Sequence, residues 1–174
     1  MSGKRFGWDA GVDFEATKAR LESRLSRAKS DREYGYLAVL YVQLLNGCRV
    51  SEAVEAVQTF AKRNERKVKV KVRKRKNAER LVIIPRAIEL KRVAWLADVD
   101  AEKLVERVRF YARKHLKLNT HSLRYAFITH MAKRGVSAQL IAKMTGHATL
   151  QHILHYTQQV EAESILEEVV EGGE

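Results

Sequence analysis

The chain has 174 residues, with 33 Lys and Arg against 21 Asp and Glu and a hydrophobic content of 45%. That length and apolar content suit one domain with a real core and exclude wholesale disorder, and no apolar run is long enough to span a bilayer. The lone Cys48 excludes an internal disulfide or a Cys-rich zinc site, while a net charge of +12 and a pI near 10.0 favour a polyanionic partner, nucleic acid first and an anionic membrane second.

In chain order, MSGKRFGWDAGV carries three Gly and no periodicity and reads as a flexible leader over 1–12. Leu21 and Leu25, one turn apart among helix formers, predict a helix over about 14–29. Asp31 is the expected N-cap of a second helix, REYGYLAVLYVQLL. That helix is apolar nearly all round and so expected to be buried, with Asn46-Gly47 as its left-handed stop. Ser51 is the expected cap of a third, EAVEAVQTFAKR.

From residue 67 the period changes. KVKVKVR alternates strictly and RLVIIP follows a short polar break, which predicts a β-hairpin with Val on one face and Lys or Arg on the other. Between Lys62 and Arg80, 11 of 19 residues are basic. Lys67, Lys69, Lys71, Arg73, Arg75 and Lys76 are therefore the candidate phosphate-facing side chains, a solvated edge strand being the plainer alternative.

Pro85 closes the hairpin, a short helix runs to about Leu96, and another covers 101–115. Thr120 is the expected cap of a helix over 121–134 ended by Gly135. Ser137 caps the next, which Gly146 ends, and Thr149 caps a short helix carrying Tyr156. The expected architecture is α+β: mainly α with one small antiparallel hairpin, residues 13–174 forming a single domain.

In HSLRYAFITH, His121 and Arg124 fall at i and i+3 on the first turn of a helix. Free backbone N–H groups and the positive end of the dipole favour an anion there. Arg49 stands in a similar turn before the third helix, and Glu52, three residues on, can hold its guanidinium. Two arginines can grip the non-bridging oxygens of a phosphodiester, and a histidine can move a proton near neutral pH. Singly, each residue has a plain structural reading: a surface charge at a helix end, a capping His, a C-terminal His satisfying carbonyls, a core Tyr. His130, His152 and His155 are read as structural, and His147, His152 and His155 make a poor zinc set without a carboxylate or Cys beside them.

The ordered set is more specific. NGCRVSEAVEA, a basic hairpin, HSLRYAFITH and MTGHATLQHILHYTQ resemble the catalytic domain of tyrosine recombinases, the phage-integrase group, over about 31–160. The family's positions read here as Arg49, a hairpin Lys, His121, Arg124, Gly146-His147 and Tyr156, nine residues after that His. Lys74 and Lys76 both fit the hairpin position, and Lys74 is the first choice.

The resemblance implies a nucleophilic Tyr156 that forms a 3′-phosphotyrosyl link to DNA and frees a 5′-hydroxyl. Arg49, Arg124 and His147 would stabilise the charge, His121 would assist the proton at the nucleophile, and the hairpin Lys would protonate the leaving oxygen. It also implies no metal and no ATP or other cofactor. The implied partner is double-stranded DNA bound by a homo-oligomer, away from membranes, in a cytoplasmic, nucleoid-associated and virus- or plasmid-encoded setting. An acidic C-terminal helix over about 161–171, with apolar Ile165, Leu166, Val169 and Val170, would dock on a neighbouring protomer or pack on its own domain. The family usually carries a separate N-terminal DNA-clamping domain, for which this sequence offers only one helix.

Two other functions fit parts of the sequence. VSAQLIAKMTGHATLQHILHY reads as a non-catalytic helix-turn-helix, which leaves Arg49 and the His-x-x-Arg turn unexplained. A type IB topoisomerase would share the chemistry without a partner duplex.

Overall fold

The computed structural model describes residues 12–72 and 75–172, apart from the side chains of His152, Tyr156, Gln159 and Val160. Helix α2 (Asp31–Asn46) is its axis. With apolar side chains around most of its circumference it must be enclosed, and Leu37, Val39, Leu40, Val42 and Leu44 are fully buried. Each such side chain contributes roughly 1.5–3 kcal/mol of transfer free energy. Around it pack α1 (Phe14–Arg27), α3 (Val50–Arg63), α4 (Leu90–Val93), α5 (Ala101–Tyr111) and α6 (Thr120–Lys133). Val12, at the edge of the expected leader, also packs on this core.

Strands β1 (Lys67–Lys71) and β2 (Glu79–Ile83) form the expected antiparallel hairpin, with Lys67 opposite Ile83 and Lys71 opposite Glu79. Its inner face lies on α3, and its outer face carries Lys67, Lys69 and Lys71 exposed. The expected division of faces fails on β2, however. Arg80 is in phase with Val82 and points inward, whereas Leu81 and Ile83 face out at 46% and 47% exposure. Side chains alternate strictly along a strand, so once Val82 is inside, Arg80 must be inside too.

A smaller cluster of Ile128 (α6), Ala138, Ile141 and Ala142 (α7, Ala138–Thr145) and Ile153 (α8, Gln151–Glu171) completes the fold. Here α8 corrects the expected short helix followed by a separate 161–171 segment. Residues 151–171 contain neither Gly nor Pro, so nothing interrupts one helix of 21 residues. Its distal apolar side chains stay in solvent, Ile165, Leu166, Val169 and Val170 being 53–72% exposed.

Several caps shift by a residue or two, for identifiable reasons. Ser30, not Asp31, caps α2 by accepting from Glu33 N–H, while the Asp31 carboxylate takes Arg92 at 2.9 Å. Arg49, not Ser51, stands at the N-cap of α3, because Glu52 reaches back to the Arg49 N–H at 3.1 Å. Asn119, not Thr120, caps α6 through the His121 N–H. Leu150 precedes α8 without a side-chain cap, so Thr149 does not serve there.

Gly47 ends α2 at φ +61, and a Cβ there would stand 2.2 Å from the Phe127 ring. Gly47→Ala therefore combines left-handed strain with a clash inside the core and should cost about 3 kcal/mol or more. Gly135→Ala, also at positive φ (77°) but with nothing within 4 Å, should cost only about 1 kcal/mol. Urea denaturation of the two variants checks the difference.

Candidate active site

The turn Asn46–Gly47–Cys48–Arg49 joins α2 to α3, and its position is set by the two helices it connects. At its end Glu52 is buried to 1% exposure, where an isolated carboxylate would be costly. It is not isolated. Its Oε2 lies 3.2 Å from Arg49 Nη1, and its Oε1 lies 3.6 Å from Arg80 Nη1 and 3.9 Å from Arg124 Nη1. Arginine has no acceptor, so the reciprocal half of a capping box is missing at Arg49, which leaves that guanidinium free of capping duty.

Arg124 rises from the first turns of α6 with its side chain 3% exposed. Its Nη1 donates to the Gly47 carbonyl at 3.1 Å, and its Nη2 meets the His147 ring, 3.2 Å from Nδ1 and 3.3 Å from Nε2. Burial, reinforced by Arg49, pushes the Arg124 guanidinium down to about 10, still well above neutrality, so it keeps its charge at pH 7. Buried Gln43 of α2 donates to the Thr120 carbonyl at 3.0 Å and fixes the start of α6 beneath this group.

His147 follows Gly146, the left-handed end of α7, and its N–H closes on the Ala142 carbonyl at 3.0 Å. Its Nδ1 lies 2.6 Å from Thr145 Oγ1, whose hydroxyl donates to the Ile141 carbonyl at 2.8 Å. Thr145 and Arg124 thereby hold the imidazole in place between them.

His121, exposed on the first turn of α6, shares a cleft of ≈ 370 Å³ with Arg49, Gln43, Thr120, Glu106 and Arg109. Tyr156 falls in the first half of α8, whose Ile153 is anchored against α6 and α7; the tyrosine side chain lies outside the described residues. Lys74 and Arg73 also lie outside them, while Arg75 and Lys76 are exposed in the hairpin turn. Cys48 is buried, and burial raises its thiol to about 12, so it stays neutral beside the guanidiniums.

The structure thus brings Arg49, Arg80 and Arg124 together around one buried carboxylate and His147 against Arg124, with His121 in the adjoining cleft. Such a set offers fixed donors to an anion. Sequence reasoning paired Glu52 with Arg49 alone and missed Arg80, Thr145 and the Gly47 carbonyl. The alternation of β2 was the available signal for Arg80, because an arginine in phase with core valines requires a buried acid.

Glu52→Gln keeps the shape of this cluster and removes its only negative charge among the described residues, leaving Arg80 and Arg124 buried without a counter-charge. A loss of about 3 kcal/mol in urea unfolding is expected. An unchanged midpoint would mean that the carboxylate does not hold the three arginines.

The model of the phage integrase family matches residues 94–163, which include His121, Arg124, His147 and Tyr156. ORF241 of Acidianus two-tailed virus, an integrase candidate by name, is 39% identical over 169 residues, 94% of this chain and 69% of its own length. The tyrosine recombinase XerD of Bradyrhizobium diazoefficiens is 28% identical over 84% of this chain and 54% of its own. Among solved structures, the catalytic domain of bacteriophage HP1 integrase has the same fold: TM-score 0.54 at 22% identity, over 90% of this chain and 91% of that one. The family match over the C-terminal part and the relative spanning nearly the whole sequence agree, and the chain belongs to the phage integrase family of tyrosine recombinases.

Proposed function

We propose that residues 13–174 form a catalytic domain that cleaves and rejoins DNA strands through a 3′-phosphotyrosyl intermediate, in site-specific recombination or integration. The observation that carries this reading is the convergence of Arg49 and Arg124 on Glu52, with His147 held against Arg124. That carboxylate holds Arg49 and Arg124 as two fixed positive groups at one place. A phosphodiester carries one negative charge, and the attack of a phenolate on it produces a pentavalent phosphorane carrying two. Donors fixed in advance therefore suit the more highly charged transition state better than the ground state.

In this mechanism Tyr156 Oη attacks phosphorus, a P–O bond to tyrosine forms and the P–O5′ bond breaks. His121 assists removal of the phenolic proton, and the hairpin lysine, Lys74 or Lys76, delivers a proton to the departing 5′-oxygen. Arg49 and Arg124 grip the non-bridging oxygens, with His147 as a further donor. Rejoining is the same path reversed by a 5′-hydroxyl, so neither ATP nor metal is required.

Lys67, Lys69 and Lys71 on the outer hairpin face, with Arg75 and Lys76 in the turn and Arg73 adjacent in sequence, follow the duplex backbone. The distal half of α8 docks on a neighbouring protomer of an oligomer on DNA, a role supported by its exposed apolar residues. The viral relative supports a virus-encoded origin.

Nicked duplex substrates test the reading. The wild-type chain should form a protease-sensitive covalent adduct in excess chelator. Tyr156→Phe should abolish the adduct and leave duplex affinity intact. Arg49→Ala and Arg124→Ala should each slow it by at least about 10²-fold with a far smaller loss of binding. Tight binding without adduct from wild type would identify a DNA-binding module; activity dependent on added metal would require another mechanism.

A further inference from the structure

Arg80 is the arginine that the proposed chemistry does not use. It sits on β2 in phase with Val82, its side chain 3% exposed, opposite Val70 of β1. A hydrophobic residue of similar volume would be cheaper to bury at this position than a guanidinium. What Arg80 touches suggests why the charge is there. Nη2 donates to the Asn46 carbonyl at 2.6 Å, on the turn that carries Arg49, and Nη1 faces the Glu52 carboxylate. A Cβ added to Gly146 would stand 3.4 Å from Arg80 Cδ and 3.2 Å from Val72, so the loop presenting His147 rests on the same side chain.

Asn46 makes a second tie to the hairpin. Its amide oxygen accepts from the Ile83 N–H at 2.9 Å, and its Nδ2 donates to the Ile83 carbonyl and the Val42 carbonyl, each at 2.9 Å. The carboxamide thereby pairs the outer edge of β2 as a third strand would, and fastens it to the end of α2. Between β1 and β2 the turn closes through Val72 N–H to the Ala78 carbonyl at 2.9 Å. In sequence the candidate lysines Lys74 and Lys76 fall six and four residues before Arg80.

We infer that Arg80, with Asn46, is a positioning residue that locks the hairpin to the Arg49 turn and so sets where the hairpin lysine stands relative to the phosphate. The inference rests on the recombinase reading above. Removing Arg80 leaves Glu52 its 3.2 Å contact with Arg49 and the neighbouring Arg124, so the arginine grip persists while the hairpin loses its anchor. The loss should therefore fall on protonation of the leaving group. A merely structural role would impair every step alike.

A scissile phosphate whose bridging 5′-oxygen is replaced by sulfur makes the distinction. A thiolate leaves without a proton, so this substrate does not need the lysine. Cleavage by the full chain would be measured on oxygen and sulfur nicked duplexes for wild type, Lys74→Ala, Lys76→Ala, Arg80→Met, Arg80→Lys and Asn46→Ala. Whichever lysine variant recovers on sulfur sets the scale. Arg80→Met should lose at least about tenfold on oxygen and recover to within about threefold of wild type on sulfur, at unchanged duplex affinity. Arg80→Lys, which keeps charge but cannot bridge two acceptors, should fall between. Asn46→Ala should show the same recovery, and it carries the test if Arg80→Met does not fold. Equal losses on both substrates, with a lysine variant rescued, would overturn this inference and leave the recombinase reading standing. No adduct from wild type on either substrate would overturn both.

Discussion

Everything distinctive about this structure leans on the buried carboxylate of Glu52. A carboxylate with 1% exposure is tolerable only among counter-charges, and three guanidiniums supply them from three parts of the chain: Arg49 at the start of α3, Arg80 on β2 and Arg124 on α6. The pairs are unequal. Arg49 holds the shortest contact, 3.2 Å, and is the most exposed of the three at 21%, so it remains reachable by a ligand. Arg124 is deeper and spends its donors on the Gly47 carbonyl and His147. One acid thus fixes the relative positions of elements 31 to 75 residues apart in sequence, and leaves the cluster net positive.

The fold serves that arrangement. Helix α2 is enclosed on nearly every side, which makes its C-terminal turn a rigid platform. From this platform Asn46 grips the hairpin, Gly47 offers its carbonyl to Arg124, and Arg49 begins α3. The tight approach of Phe127 to Gly47 explains why the turn cannot carry a side chain at that point. The smaller cluster around Ile141 and Ile153 holds the end of α7 and the beginning of α8, the two segments that bear His147 and Tyr156.

Much of this was legible in the sequence because the signals are local. The apolar circumference of α2, the alternation of KVKVK, and the Gly stops after Asn46 and Thr145 each follow from backbone physics over a few residues. The candidate residues were legible because their order along the chain is specific to a family. What the sequence concealed was non-local. That Glu52 serves three arginines depends on how β2 and α6 pack against α3, and nothing in VSEAVEA announces it. Arg80 was hidden by its basic neighbours: among so many exposed Lys and Arg, one that points inward looks the same. Helix caps moved because side chains near helix starts compete, as Asp31 does in choosing Arg92 over its own helix.

The central claim is that this arginine-lined site delivers a phosphodiester to Tyr156. The most direct test locates the attachment. No Lys or Arg follows Lys143, so complete trypsin digestion leaves residues 144–174 as one peptide, and Tyr156 is its only tyrosine. Mass spectrometry of the digested protein–DNA adduct, after nuclease treatment, should find the nucleotide mass on that peptide, with fragment ions placing it on Tyr156. Attachment to His147, to another peptide or to none would contradict the account.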